Sequence, residues 1–370
     1  MTTESAPSRS KRYSAVKTRF FIADLILTVL ALAIFQLAVS RTLSQDLTGL
    51  FTSFYLACFA YVAIFLAVMY VIGFPLHLAN SFFVEHRFGL SSQSFGSWII
   101  DEIKSIILSF VLWIGCTQVF YLVLRNFPHT WWIITALLWV FLSVILSRIL
   151  PVLIIPLFFK YLPIENQELK KRIFELANKA RIRLMDVCRI DFSRKTKKAN
   201  AALIGLGKTR KVILADTLTD GFTTDEVESV VAHEFAHFRY GHIWKLLAFS
   251  GISAAIGFYL LFLVAGKCAS LVGASGIDDL YLFPVLVFLM IVAGFIILPV
   301  HNLFSRTLER QADGFALELT GDAETFISVM RKLASMNLAE MDPSLWKKIF
   351  LYDHPPIRER IQMAEKAKGE

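Results

Sequence analysis

Apolar residues in this chain gather in long blocks instead of alternating with polar ones. Six blocks reach the length needed to cross a bilayer, about 20 mainly apolar residues. They cover, approximately, residues 20–40, 54–79, 103–124, 131–159, 244–266 and 282–303. Inside the fourth block, Pro151 is expected to break the helix, and Pro156 to break it again before a juxtamembrane segment. Between the fourth and fifth blocks the pattern changes. Residues 165–183 follow a helical period, and the shorter runs 188–192, 199–204 and 211–215 read as strands. Thr223 and Thr224, followed by Asp225 and Glu226, offer a hydroxyl N-cap with first-turn acids, which predicts a helix beginning near Thr224.

The fold class that follows is mainly α: a polytopic membrane protein of about six transmembrane helices with a small cytoplasmic α+β domain. The expected division is a tail at 1–19, membrane helices 1–4 at 20–159, a soluble segment at 160–243, membrane helices 5–6 at 244–304, and a second soluble segment at 305–370. Composition agrees, since 56% of the 370 residues are hydrophobic and 18% are charged, which excludes an ordinary soluble enzyme. The formal charge of +8 is unevenly spread. Arg9, Lys11, Arg12, Lys17 and Arg19 precede the first block and residues 160–211 are dense in Lys and Arg, whereas the loops at 41–52, 125–130 and 267–281 are poor in them. The positive-inside rule then places both termini and both soluble segments on the cytoplasmic side of an integral, multi-pass protein. The basic charge is matched to anionic lipid headgroups, and nothing resembles a nucleic-acid module. Trp98, Trp131, Trp132 and Trp244 fall near block ends, as an aromatic belt requires.

A cleaved signal peptide ending near residues 37–40 is the competing reading of the N-terminus, but the apolar run and the polar tail before it are both too long. Residues 1–10 are expected to be disordered. Cys58, Cys116, Cys188 and Cys268 contain no C-x-x-C pair, so they predict neither a disulfide framework nor a thiolate metal site.

The chemistry concentrates at Val231-Ala-His-Glu-Phe-Ala-His237. On a helix, His233 and His237 lie one turn apart on one face and can bind one zinc ion, with Glu234 beside it as general base. A third histidine in the register of the metzincins is missing, because Tyr240 and Ile243 occupy those offsets and His242 is out of step. A His2Glu site needs a carboxylate from elsewhere. Glu309 is the expected third ligand, and Asp313, one turn further on, would accept the N–H of a ligating histidine. Read alone, Glu309, Arg310 and Asp313 would be a solvated helix face. What favours the metal is that the helix of His233 and His237 leads into the fifth membrane block while Glu309 follows the sixth, so both reach one level. The run Gly205-Leu-Gly-Lys-Thr-Arg210 echoes a phosphate-binding loop, but Ala202 replaces its first glycine and no helix follows, so it reads as a hairpin turn. The small sheet next to the motif helix could align an extended peptide along an exposed edge.

These features carry a resemblance. Gly73-Phe-Pro75, Phe83-Val-Glu-His-Arg-Phe-Gly89, Ala199-Asn-Ala with Gly207-Lys-Thr, the H-E-x-x-H, Glu309 with Asp313, and His354-Pro-Pro-Ile-Arg-Glu-Arg360 together resemble the CAAX prenyl protease 1 family, membrane zinc metalloproteases related to the bacterial HtpX quality-control proteases. The resemblance spans about residues 73–363. It implies a zincin-like (gluzincin) metalloendopeptidase holding one Zn2+ per chain. It also implies that Asn200, His354 and Arg360 hold the substrate backbone or stabilise the oxyanion, His354 and Arg360 thereby taking a catalytic part. A ring of membrane helices around a chamber is implied as well, although the eukaryotic members have seven spans and this chain shows six. The partners implied are the lipid bilayer and a peptide or protein substrate, with prenylated and misfolded membrane proteins as the two classes. Outside the enzymes, the readings are a transporter, against which the lack of an evident internal repeat argues, and a catalytically silent zinc-binding scaffold, against which an intact Glu234 argues. Asp24 and Arg148, ionisable within the blocks, either snorkel to a membrane face or line the chamber.

Overall fold

The computed structural model describes residues 6–205 and 210–369. The chain begins with the helices α1 (Ala6–Ile34), α2 (Ser40–Leu50), α3 (Phe54–Leu78), α4 (Val84–Arg87), α5 (Phe95–Asn126), α6 (Trp131–Ile149) and α7 (Ile155–Phe158). Next come β1 (Tyr161–Pro163), α8 (Gln167–Lys179), β2 (Asp186–Ile190), β3 (Ala201–Ile204), β4 (Lys211–Ala215), α9 (Asp216–Gly221) and α10 (Thr224–Arg239). It ends with α11 (His242–Val272), α12 (Phe283–Thr320), α13 (Ala323–Met336), α14 (Leu345–Leu351) and α15 (Ile357–Gly369).

Single π turns join α1 to α2, α3 to α4 and α6 to α7. Among the described residues, six continuous helical stretches are therefore long and apolar enough to cross a membrane: Ser8–Leu50, Phe54–Arg87, Phe95–Asn126, Trp131–Phe158, His242–Val272 and Leu280–Thr320. The number agrees with the six apolar blocks, but most helices overrun them. The break expected at Pro151 is the π turn Leu150–Ile154, after which the helix resumes to Phe158.

Helix α1 departs most from expectation. Residues 6–10, expected to be disordered, are helical, and 1–5 lie outside the described residues. The reason lies in contacts that a hydropathy pattern does not register. The Tyr13 hydroxyl donates to Glu85 Oε1 at 2.7 Å and Ser14 to Glu340 Oε2 at 2.6 Å. Lys198 closes on Glu85 at 3.0 Å. The start of α1 thus lies on the same side as the soluble segments.

The membrane helices form a closed ring, in which α1 packs on α3, α3 on α5, α5 on α6, α6 on α11, α11 on α12 and α12 on α1. One end of the ring is filled by a buried cluster that includes Phe35, Tyr61, Phe65, Tyr121, Trp131 and Phe283. These residues lie near the helix ends remote from the soluble segments and form a floor. Asp24 shares a helix face with Leu27 and Ala31, which line a cavity together with Met69, Trp113 and Val287. Residues from four ring helices meet there, so that face of α1 points inward. Arg148 lies near the end of α6 with its guanidinium 5.7 Å from the Trp244 ring centroid.

The second core belongs to the soluble segments. A four-stranded sheet in the order β1-β2-β4-β3 pairs β2 and β4 in parallel and the other neighbours antiparallel. Strand β1 was not expected, β2 begins two residues earlier than the pattern suggested, and β3 two residues later. Ile204 pairs with Lys211, so β3 and β4 form a hairpin, while the Gly-Lys-Thr at 207–209 within its turn lies outside the described residues. Val212, Leu214, Ile173, Val231 and Phe235 pack between the sheet and its helices. Helix α10 starts where expected. The Thr223 hydroxyl accepts from Glu226 N–H and the Glu226 carboxylate accepts from Thr223 N–H, closing a capping box. Glu226 also receives Lys332 at 2.6 Å, tying α10 to α13.

Candidate metal centre

Helix α10 crosses α12 on the soluble side of the ring, and the two helices deliver three donor groups to one point. His233 and His237 come from α10 and Glu309 from α12, and one donor atom from each lies within 4.8 Å of the others. His237 Nε2 stands 3.1 Å from His233 Nε2 and 3.4 Å from Glu309 Oε1, and His233 Nε2 stands 3.2 Å from Glu309 Oε2. A tetrahedral ion with bonds of about 2.0–2.1 Å has ligand-to-ligand edges of about 3.3–3.4 Å, so these separations, with one Glu309 oxygen facing each histidine, have the size of coordination edges. Buried Glu309 Oε2 has no donor in hydrogen-bonding geometry. Two imidazole nitrogens facing each other beside an unsatisfied carboxylate oxygen are an arrangement that a cation satisfies, so these residues fit the metal.

Each imidazole is held from behind. Asp313, fully buried, accepts from His233 Nδ1 at 2.9 Å, as the i, i+4 spacing from Glu309 predicts. His237 is held by a residue the sequence reading set aside. Gly241 adopts φ +63°, a left-handed turn that ends α10 and restarts the helix at His242. The turn brings His242 Nδ1 to 3.0 Å from His237 Nδ1, and His242 Nε2 to 3.0 Å from Gln311 Oε1. A carboxamide oxygen only accepts, so His242 donates to Gln311 and accepts the Nδ1 proton of His237. His237 Nε2 is thereby left with a lone pair facing Glu309.

The electrostatics differ from residue to residue. Burial disfavours charge on His233, but the hydrogen bond to Asp313 and the nearby Glu309 carboxylate outweigh it and raise its pKa to about 9 in the metal-free protein. Burial lowers His237 to about 4. Burial also pushes the Glu234 carboxyl up to about 7. His354 is raised, chiefly by its hydrogen bond to Asp353 at 2.8 Å, and its Nε2 lies 3.4 Å from Glu309 Oε2.

Beside the centre opens a cavity of about 330 Å³ whose walls include Asn200, Glu234, His354, Arg360, Phe326 and Met330. The expected site residues are therefore gathered in one place. Asn200 immediately precedes β3, an edge strand of the sheet. Arg360 is engaged with Asp313 through Nε at 2.8 Å and Nη2 at 2.5 Å. The resemblance alone implied contact with substrate; the geometry adds a clamp on the carboxylate that orients His233. Spacing could not reveal His242, Gln311 or Asp353, because their partners come from turns and a crossing helix.

The sequence profile of peptidase family M48 matches residues 163–368, and that of the CAAX prenyl protease N-terminal region, described as five membrane helices, matches residues 1–160. Among the described residues, four helices in that stretch are long and apolar enough to span, so the expected departure falls there. An uncharacterized metalloprotease, YhfN of Bacillus subtilis, is 30% identical over 365 residues, covering 97% of this chain and 85% of the relative. CAAX prenyl protease 1 of Saccharomyces cerevisiae is 30% identical over 312 residues, covering 79% of this chain and 68% of the relative. The crystal structure of Ste24p from S. mikatae superposes with a TM-score of 0.86 at 24% identity, covering 97% of this chain and 89% of that one, and so shares the fold. The chain belongs to peptidase family M48 and is an integral-membrane metalloprotease.

Proposed function

We propose that the chain is a zinc endopeptidase holding one Zn2+ on His233, His237 and Glu309 and cleaving extended peptide segments at the cytoplasmic membrane surface. The observation that carries this reading is the convergence of His233, His237 and Glu309, with donor atoms 3.1–3.4 Å apart, beside a cavity lined by His233, Glu234 and Asn200. When bound, zinc supplies Lewis acidity to the scissile carbonyl and to the attacking water. The chain's own groups do the rest. Glu234, poised near neutrality by burial, takes the proton of the water and passes it to the leaving amine. The peptide pairs in extended form with the free edge of β3 beside Asn200. His354, held by Asp353, donates to the developing oxyanion, and Arg360 fixes Asp313 and through it His233. His242 and Gln311 hold His237 in the same way.

The concentration of Lys and Arg before α1 and over residues 160–211 supports a cytoplasmic position for both termini and the site. It also supports the division into membrane helices at 20–159 and 244–304 and catalytic segments at 160–243 and 305–370. Relatives named CAAX prenyl protease 1 make a prenylated C-terminal peptide the substrate class to test first. The test is zinc per chain together with turnover of one peptide in prenylated and unprenylated forms, with Glu234→Gln alongside. Near one zinc, with turnover lost in the variant, is the expected result; a wild-type protein that takes up no zinc would overturn the reading.

A further inference from the structure

Between α1 and the α3–α4 stretch lies a cavity of about 470 Å³ that has no part in the metal centre. Two helix faces wall it. On α1, Arg12, Val16, Arg19 and Phe20 follow one another at the spacing of a single face, and across from them Phe83 and Arg87 lie one turn apart. Three guanidiniums therefore border a concavity that is otherwise apolar, and no carboxylate lines it. Glu85, close by in sequence, is taken up by Tyr13, Lys17 and Lys198. Arg19 and Arg87 are exposed and make no ion pair among the described residues.

Position narrows the ligand. Phe20 opens the first apolar block, and Phe83 lies one turn before Arg87, where the helical stretch returning from the membrane ends, so the cavity straddles the boundary between basic and apolar chain. An occupant must present an anion to the arginines and hydrocarbon to the phenylalanines. A planar guanidinium pairs with phosphate through two parallel hydrogen bonds, which suits Arg19 and Arg87 facing a phosphodiester. We propose that this cleft binds one anionic phospholipid, with its phosphate between Arg19 and Arg87 and an acyl chain descending along Phe20 and Phe83. Basic pockets between membrane helices on the positively flanked side hold such headgroups for the same physical reasons.

The experiment uses the full chain, delipidated and reconstituted in phosphatidylcholine nanodiscs with or without phosphatidylglycerol. Bound phosphatidylglycerol is counted by native mass spectrometry and the melting temperature is read in parallel. The wild type should retain one phosphatidylglycerol and melt higher in discs that contain it. At about 1 kcal/mol per arginine, Arg19→Gln should weaken binding roughly fivefold, and Arg19→Gln with Arg87→Gln roughly 25-fold. Both variants should match the wild type in metal content and in melting in pure phosphatidylcholine, which separates lost binding from lost folding. Lys171→Gln with Lys366→Gln removes the same charge elsewhere and should change nothing. Wild-type retention of phosphatidylglycerol by the arginine double variant, or equal weakening by the lysine pair, would overturn the proposal. So would inorganic phosphate that displaces the lipid and gives the same melting shift, since the cleft would then be an anion site without a lipid.

Discussion

The two buried cores of this molecule are held by different forces. In the soluble segments, Ile173, Val212, Leu214, Val231 and Phe235 leave water when they pack, and the helices around them keep polar outer faces. The floor of the membrane ring gains little from that effect, because its helices are apolar on the lipid side too and hydrocarbon surrounds them before they pack. Contact geometry holds it instead. Phe65 meets Phe35 and Phe283 edge to face at 5.2 and 5.1 Å, and Ser40 and Tyr61 share a 2.6 Å hydrogen bond. The water-driven core leaves a period in the sequence; the membrane core leaves only a block.

The candidate metal centre joins the two, since Glu309 is carried by a helix rooted in both, and the largest effect is expected there. Glu234→Gln should lower turnover by about 10²–10⁴-fold with metal content and melting unchanged, as read by peptide cleavage and metal analysis. Turnover at the wild-type rate would remove Glu234 as the base. Truncation then contrasts the cores directly. Phe235→Ala should cost about 3–5 kcal/mol, a transfer loss plus a cavity. Phe65→Ala, which forfeits two aromatic contacts, should cost about 1–3 kcal/mol. Equal shifts in the unfolding midpoint would mean that the floor is stabilised in the same way as the soluble core. Comparable in size is Asp313→Asn, which should weaken metal binding about 10–100-fold in chelator competition, whereas substitutions in the floor should leave the affinity unchanged.

The subtlest sharpening is with pH. His233 has a pKa raised to about 9 in the metal-free protein and must be neutral to bind metal, so below that pH metal displaces a proton. Metal affinity should fall about tenfold per unit as pH drops from 9 to 7, and should level off above 9. Proton release on metal addition measures this, and Asp313→Asn should flatten the slope.

How much could be read beforehand follows the same division. The spans, the pairing of His233 with His237, the spacing of Asp313 from Glu309 and the cap at Thr223 are local patterns and were legible. The order of helices around the ring was not, because an all-apolar helix does not declare which face packs. His242 was illegible for a different reason. It reaches His237 through a left-handed turn at Gly241, and a 3.6-residue period cannot describe that turn. The helical start of α1 was hidden because Tyr13 and Ser14 find partners 72 and 326 residues away.

One helix runs through all of this. Along α12, Phe283 sits in the floor, Glu309 at the metal centre and Leu317 in the soluble core. At 1.5 Å per residue, Glu309 stands about 39 Å along the axis from Phe283, so a tilt of roughly 1.5° about the floor would carry its carboxylate about 1 Å. A displacement of that size can cost 10²-fold in rate. Pro299 lies within this unbroken helix, about 15 Å before Glu309. Helix α12 thus has the proportions of a lever, with its fulcrum at the far end of the membrane ring and a donor carboxylate at the end of its long arm.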